Sequence, residues 1–205
     1  VSPRGVFLVF EGIDVSGKST QARRVAERHD ALFTFEPGDT ALGADLRRWV
    51  LDAATPMDPS TEALLMLSDR SHHVRSVIEP TLLAGRSVVS DRFYASTLAY
   101  QGYGRGVDLT LLAAASELAI GSCLPTMTIL LDVSLEVVNE RRAHDAKDRF
   151  ESSDLAFHER VRDGYLALAR EHSWFVVNGS LGVDEVASVI DERVATLPWR
   201  DDGRL

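Results

Sequence analysis

The chain has one cysteine, Cys123, among 205 residues. An internal disulfide is therefore impossible, and a lone thiol fits a reducing compartment. Its expected role is that of a small apolar filler. No run approaches the roughly 18 consecutive apolar residues of a membrane span. The opening Val-Ser-Pro-Arg-Gly lacks the apolar stretch of a signal peptide, so the expectation is a cytoplasmic protein without a membrane partner. Basic residues are in short supply as well. The 22 Lys and Arg face 31 Asp and Glu, and the net charge of −9 argues against a general nucleic-acid surface. No internal repeat or low-complexity segment interrupts the chain. What remains is the ordinary mixture of a globular core, in a length that suits one domain over residues 1–205.

Against these absences one stretch stands out. Val6 to Phe10 is a short apolar run without polar alternation, which reads as a strand covered on both faces. It leads into Gly12, four residues, then Gly17-Lys18-Ser19, the pattern G-x-x-x-x-G-K-[ST] of a phosphate-binding loop. Glycines let successive N–H groups curl round a polyphosphate, and the following helix adds the positive end of its dipole. Lys18 is expected at the β- and γ-phosphates and Ser19 on Mg²⁺. Gly12, Ser16, Gly17, Lys18, Ser19 and Thr20 form the expected phosphate cradle.

Periodicity organises the rest. Short apolar strands are expected at 31–35, 87–90, 128–133 and 174–177. Helices are expected at 18–29, 42–53, 60–84, 96–103, 109–120, from 135 to about 142, 153–171 and 183–197. The spacing assigns Leu42, Leu46, Trp49 and Val50 to one core stripe and Leu64, Leu67, Val74 and Ile78 to another. Pro80 is expected to kink or end its helix. Strands alternating with helices imply an α/β fold with a parallel sheet. The charged stretch 141–149 has no apolar periodicity and reads as part of a short lid at about 141–152.

Several residues carry chemistry. Asp91-Arg92 follows a buried strand, where the acid can hold Mg²⁺ near Ser19 and the arginine can grip a phosphate with a bidentate fork. Met66 and Arg70 are four apart on one helix face, a pairing suited to a planar base, although spacing alone favours a core margin and a solvated cation. His72 and His73 have no partners at metal-ligand spacing and read as surface residues. Glu36 in Glu-Pro at a strand end is either a general base or a pin for the turn.

Phe-Glu-Gly-Ile-Asp-Val-Ser-Gly-Lys-Ser-Thr (10–20), Glu-Pro-Gly (36–38), Leu-Ser-Asp-Arg-Ser-His-His-Val (67–74), Ser-Asp-Arg-Phe (90–93), Ser-Thr-Leu-Ala-Tyr-Gln-Gly (96–102), Leu-Leu-Asp-Val (130–133) and Asp-Arg-Phe-Glu (148–151) occur in that order. In these segments the chain resembles the bacterial thymidylate kinases over nearly its whole length. The resemblance implies a P-loop kinase three-layer sandwich with a five-stranded parallel sheet. It also implies ATP as phosphoryl donor, Mg²⁺, dTMP as acceptor and a homodimer. Carried over, Asp14 would touch the sugar 3′-hydroxyl and the metal network. Arg70 would meet the thymine edge, Arg92 the acceptor phosphate, and Tyr100 and Gln101 would flank the nucleoside. The implied dTMP set is Asp14, Glu36, Pro37, Met66, Arg70, Arg92, Ser96, Thr97, Tyr100 and Gln101. The implied catalytic set is Lys18, Asp14, Arg92 and the lid residues Arg142 and Arg149.

Three positions depart from the family pattern: Met66 in place of Phe, Phe35 in place of Arg, and Val15 where some members have Arg. Two other readings compete. A deoxynucleoside kinase would use Glu36 to deprotonate a 5′-hydroxyl, and a weakly active nucleotide-binding protein would need no catalysis. A GTPase is disfavoured, because the guanine-reading Asn-Lys-x-Asp is absent.

Overall fold

The computed structural model describes residues 4–52, 54–142, 150 and 154–199. Its centre is a five-stranded sheet in the order β2-β3-β1-β4-β5. The strands are β1 (Phe7–Glu11), β2 (Leu32–Phe35), β3 (Val88–Asp91), β4 (Met127–Asp132) and β5 (Phe175–Asn178). Every pairing is parallel, with Phe7 opposite Val88, Leu8 opposite Met127, Leu32 opposite Val88 and Ile129 opposite Phe175. Both faces are covered, which is why the strands read as continuous apolar runs. Leu8 and Phe10 pack with Ala22, Val25, Ile190 and Val194 on one face. Phe7 and Val9 pack with Val74, Ile78 and Phe93 on the other.

The helices are α1 (Lys18–Arg28), α2 (Ala41–Leu51), α3 (Pro59–His73), α4 (Glu79–Leu83), α5 (Tyr94–Thr97), α6 (Leu109–Ile120), α7 (Leu135–Arg142), α8 (Leu155–Glu171) and α9 (Val183–Val194). Their starts are written in the sequence. Thr40 accepts from the Gly43 amide, Asp58 from Ser60 and Thr61, Asp108 from Leu111, and Asp154 from Phe157.

Four sequence expectations change. The long helix over 60–84 is α3 and α4 joined by a π-helical segment, Val74–Ile78. The Glu79 amide reaches back five residues to Val74, and this wider turn precedes Pro80, which has no N–H to offer. The helix over 96–103 is likewise the short α5 followed by a π-helical segment, Leu98–Gly104. Leu64 is 63% exposed and not core, because the buried stripe runs through Ala63, Leu67, Arg70, Val74 and Ile78, with Ala63 in the place expected for Leu64. Leu42 and Trp49 also face outward, and α2 buries Gly43, Leu46 and Val50 instead.

Candidate active site

The carboxyl ends of β1, β2 and β3 converge, as ligand sites do in open α/β sheets. β1 ends in Glu11 and releases the loop 12–17. Gly12 has φ +148, and a Cβ there would stand 2.6 Å from the Leu131 carbonyl oxygen. Gly17 is also left-handed, as is Val15, a β-branched residue at φ 58 where such backbone is strained. Lys18 folds back over the loop, its Nζ 3.4 Å from the Ile13 carbonyl and 3.8 Å from Asp14 Oδ1. Burial and the nearby Arg92 push the Lys18 ammonium below its ordinary value, against the carboxylates of Asp91, Asp14 and Glu11.

β3 delivers the next pair. Ser19 Oγ donates a short hydrogen bond to Asp91 Oδ2, and Asp91 Oδ1 is buried without a partner. Arg92, held at φ 75, is locked by five acceptors. Nη1 donates to Gly12 O at 3.0 Å, Tyr165 Oη at 2.9 Å and Ser96 Oγ at 3.2 Å. Nη2 donates to Asp14 Oδ1 at 2.5 Å and Tyr100 Oη at 3.2 Å. Beneath it, buried Glu11 accepts from the Phe93 amide at 2.9 Å and Ser96 Oγ at 2.7 Å. Burial raises the Glu11 carboxyl, while Ser96, Arg92 and the Phe93 amide pull it down.

β2 and α3 build the far wall. Glu36 Oε2 accepts from Arg70 Nε at 2.7 Å, and Oε1 lies 2.9 Å from His73 Nδ1. Arg70 also donates to Thr97 Oγ1 at 2.7 Å and the Phe93 carbonyl at 3.0 Å. Burial would raise the Glu36 carboxyl, but Arg70 and His73 together hold it below the usual range. Two expectations are corrected here. Arg70 is not solvated but buried in an ion pair, and His73 is not a surface residue but 1% exposed, with both ring nitrogens in hydrogen bonds. His72 is exposed as expected.

All ten residues of the implied dTMP set line one cleft that opens to solvent. Arg47, Leu51, Asp69 and Phe150 complete it, and spacing in the sequence singled out none of them. Met66 lines the cleft while packing partly against the core. Gln101 donates to Glu62 Oε1 at 2.8 Å. The cleft continues past Asp14, Arg92, Arg47 and Glu36 into a groove that Lys18, Ser19, Asp91, Arg23, Phe33 and Phe35 also line. Arg47 stands at the junction, donating to the Pro37 carbonyl at 2.7 Å with its guanidinium 5.7 Å from the Phe35 ring centre.

A separate cleft borders the loop at Val15, Ser16, Gly17 and Thr20, with Leu181, Val183 and Val186 as its apolar wall. Arg141 spans it, donating to Val15 O at 3.1 Å and Gly179 O at 2.8 Å. The side chain of Arg142 and the whole of Arg149 lie outside the described residues. Sequence reasoning missed Glu11, Arg47, Asp69, His73 and Tyr165. The one available signal was the Arg70–His73 interval, which puts two basic side chains on one helix face beneath a Glu-Pro turn.

Comparison with known proteins agrees with this geometry. The family model for thymidylate kinase matches residues 10–190. A thymidylate kinase of Carboxydothermus hydrogenoformans is 44% identical over 189 residues, covering 89% of this chain and 93% of that protein. One from Cupriavidus metallidurans is 43% identical over 201 residues, covering 95% of this chain and all of its own length. The crystal structure of thymidylate kinase from Ehrlichia chaffeensis superposes with a TM-score of 0.77 at 30% identity, over 94% of this chain and 99% of that one. With a family model across most of its length and relatives above 40% identity over 89% and 95% of it, the chain belongs to the thymidylate kinase family.

Proposed function

We propose that the chain transfers the γ-phosphoryl group of ATP to dTMP, giving ADP and dTDP. The observation that carries this reading is the continuity of a base-sized cleft at Met66, Arg70, Tyr100 and Gln101 with a phosphate loop at Lys18, joined at Arg92. The acceptor is already an anion at neutral pH, since a phosphate monoester has a second pKa of about 6. No base has to take its proton, and Glu36 is not free to act as one while Arg70 and His73 hold both its oxygens. What the reaction needs is positioning and charge neutralisation.

Lys18 and the loop amides hold the donor phosphates, and Arg92 exchanges its Asp14 contact for the acceptor phosphate. Arg47 supplies the cation that Phe35 does not, because it overlies Phe35 at the mouth between the two pockets. Met66 packs on the thymine face and Arg70 meets its edge. The apolar cleft at Val183 and Val186 takes the ATP base, with Arg141 as its cover. Arg142 and Arg149 remain the candidates for the γ-phosphate cation, in a lid over about 141–152 of a single kinase domain.

Ser19 and the unpartnered Asp91 Oδ1 fit a Mg²⁺ ion. Mg²⁺ commonly takes few protein ligands and completes its shell with substrate phosphates and water. When bound, Mg²⁺ would neutralise charge on the transferring phosphates. We further propose a homodimer, supported by the exposed Leu111 and Leu118, seven apart on α6, and Leu64 on the adjoining α3. A cytoplasmic location accords with the buried free Cys123, and no helix among the described residues is long and apolar enough to cross a membrane.

The test is ATP consumption measured with dTMP, dUMP, thymidine or no acceptor. Turnover with dTMP and none with thymidine is expected; turnover with thymidine alone would favour a deoxynucleoside kinase and overturn the assignment.

A further inference from the structure

His73 is buried on α3, and its two ring nitrogens allow its proton count to be worked out. Nε2 lies 2.6 Å from Thr34 Oγ1, and Nδ1 lies 2.9 Å from Glu36 Oε1. The Thr34 hydroxyl also donates to Asp39 Oδ2. A hydroxyl has one proton to give, and a carboxylate can only accept. The Thr34 proton therefore goes to Asp39, and Thr34 Oγ1 must accept from an Nε2–H. Glu36, kept anionic by Arg70, must accept from an Nδ1–H. Both nitrogens then carry protons.

We propose that His73 is a buried imidazolium and a positioning residue, which orients Glu36 and through it the Arg70 guanidinium that faces the acceptor base. The charged groups around it are Glu36 and Asp39 from the turn after β2, and Asp69 and Arg70 from α3. Three carboxyls against one guanidinium favour the cation. Burial alone would lower the His73 value, but the Glu36 hydrogen bond and charge, with Asp69 and Asp39, raise it above the ordinary one.

The consequence for the site is geometric. A neutral ring has one N–H, so either Glu36 Oε1 or Thr34 Oγ1 would lose its donor. With the proton on Nε2, Glu36 would be held by Arg70 alone and could turn with it; with the proton on Nδ1, Glu36 keeps a donor but loses the facing charge. Arg70 is otherwise fixed by Thr97 Oγ1 and the Phe93 carbonyl, so a shift in Glu36 skews the guanidinium plane. The cost falls on recognition of the acceptor and not on phosphoryl transfer.

Two measurements on the whole chain decide this. Long-range ¹⁵N–¹H spectra of the imidazoles at about pH 7.5 should show both His73 nitrogens protonated, with the His73→Gln spectrum assigning its signals. Asp39→Asn gives Thr34 a donor neighbour, so the Thr34 proton can turn to Nε2. His73 should then carry one proton at the same pH. In kinetics, His73→Gln should raise KM for dTMP about tenfold, the scale of one charge-assisted hydrogen bond, with kcat and KM for ATP little changed, whereas Asp39→Asn keeps the Nδ1–H on Glu36 and should move KM less. The KM effect of His73→Gln should shrink as the wild type is taken above the His73 value.

A singly protonated His73 in the wild type overturns the imidazolium, and an unchanged KM for dTMP in His73→Gln overturns the positioning role. The kinetic arm rests on the reading of the cleft as the dTMP site, whereas the spectra do not. A wild-type chain inactive on dTMP would overturn that reading and the positioning role, and the spectra alone would then decide the charge state.

Discussion

Replacing Glu36 with Gln separates the two chemistries that a Glu-Pro turn can serve. Glu36 is 4% exposed, 2.7 Å from Arg70 Nε and 2.9 Å from His73 Nδ1. Gln keeps the shape and removes the charge. Its amide oxygen can satisfy one partner, but its NH₂ must then face a second donor. Breaking a buried ion pair from one side costs about 3–5 kcal/mol, and the retained bond argues for the low end, about 3. At about 2–4 °C per kcal/mol for a domain of this size, Tm should fall by about 6–12 °C. KM for dTMP should rise because Arg70 loses its anchor. Turnover at saturating dTMP should stay within about tenfold, since losing a true acid–base group typically costs about 10²–10⁴. The assay pairs thermal unfolding with initial rates over a dTMP titration. A collapse of kcat by 10² or more, with Tm and KM unchanged, would mean that Glu36 takes a proton in the reaction, and the ion-pair argument would fail.

Other substitutions test separate parts of the site. Arg47→Ala should raise KM for dTMP about tenfold or more with little change in Tm, because its guanidinium lies at the pocket mouth and not in the core; a lowered Tm with unchanged KM would make it a clamp for Pro37 only. Met66→Phe should keep kcat and lower KM for dTMP, since a rigid ring orients a base better than a flexible thioether; a tenfold rise would mark Met66 as a packed core position. The cluster behind the turn also predicts a pH profile. Burial, then Glu36, raises Asp69 from 3.8 to about 6, so its stability cost grows as pH rises through that interval. His73, raised above 6.5, contributes stability below that value and loses it as pH climbs through the folded one. Glu36, lowered from 4.5, contributes above that value and loses it as pH falls through the folded one. Tm should therefore peak at about pH 4, where the Asp69 cost begins and the Glu36 contribution starts to fade, and Asp69→Asn should flatten the decline from there to about pH 6; parallel curves would show that Asp69 titrates as in water.

The elements were legible wherever burial is periodic. The five strands lie within about one residue of where their apolar runs place them, and α6 has the bounds its spacing gives. The phosphate loop was legible because its chemistry is local: glycines, lysine and serine at fixed intervals between a strand and a helix. The residues that were missed are satisfied from far along the chain. Glu11 ends an apolar strand and looks like the first exposed position, yet Phe93, Ser96 and Tyr165 reach it from up to 154 residues away. His73 looks like a solvated helix residue because its partners Thr34 and Glu36 lie on another element. Leu64 and Trp49 fit an apolar spacing and are exposed all the same, although Leu67, Val74, Leu46 and Val50 of the same stripes are buried, since spacing places a residue near a face but does not fix how wide the buried face is.

The wide turn over Leu98–Gly104 has a consequence for how this chain tolerates change in length. The Arg105 amide bonds to the Tyr100 carbonyl five residues back, so one residue more than an α-helix needs is looped into the wall of the cleft. Its far edge is tightly fitted: a methyl group on Gly104 would meet Phe157 at 2.6 Å, and one on Gly164 would meet Tyr103 at 2.6 Å. A single deletion here would let the coil tighten to the common pitch and turn everything on one side of it by about 100°. Tyr100 would then swing away from Asp14, or Gly104 away from α8. In this stretch the spare residue works as a spacer, and its removal would act as a rotation of the cleft wall before it acted as a shortening of the chain.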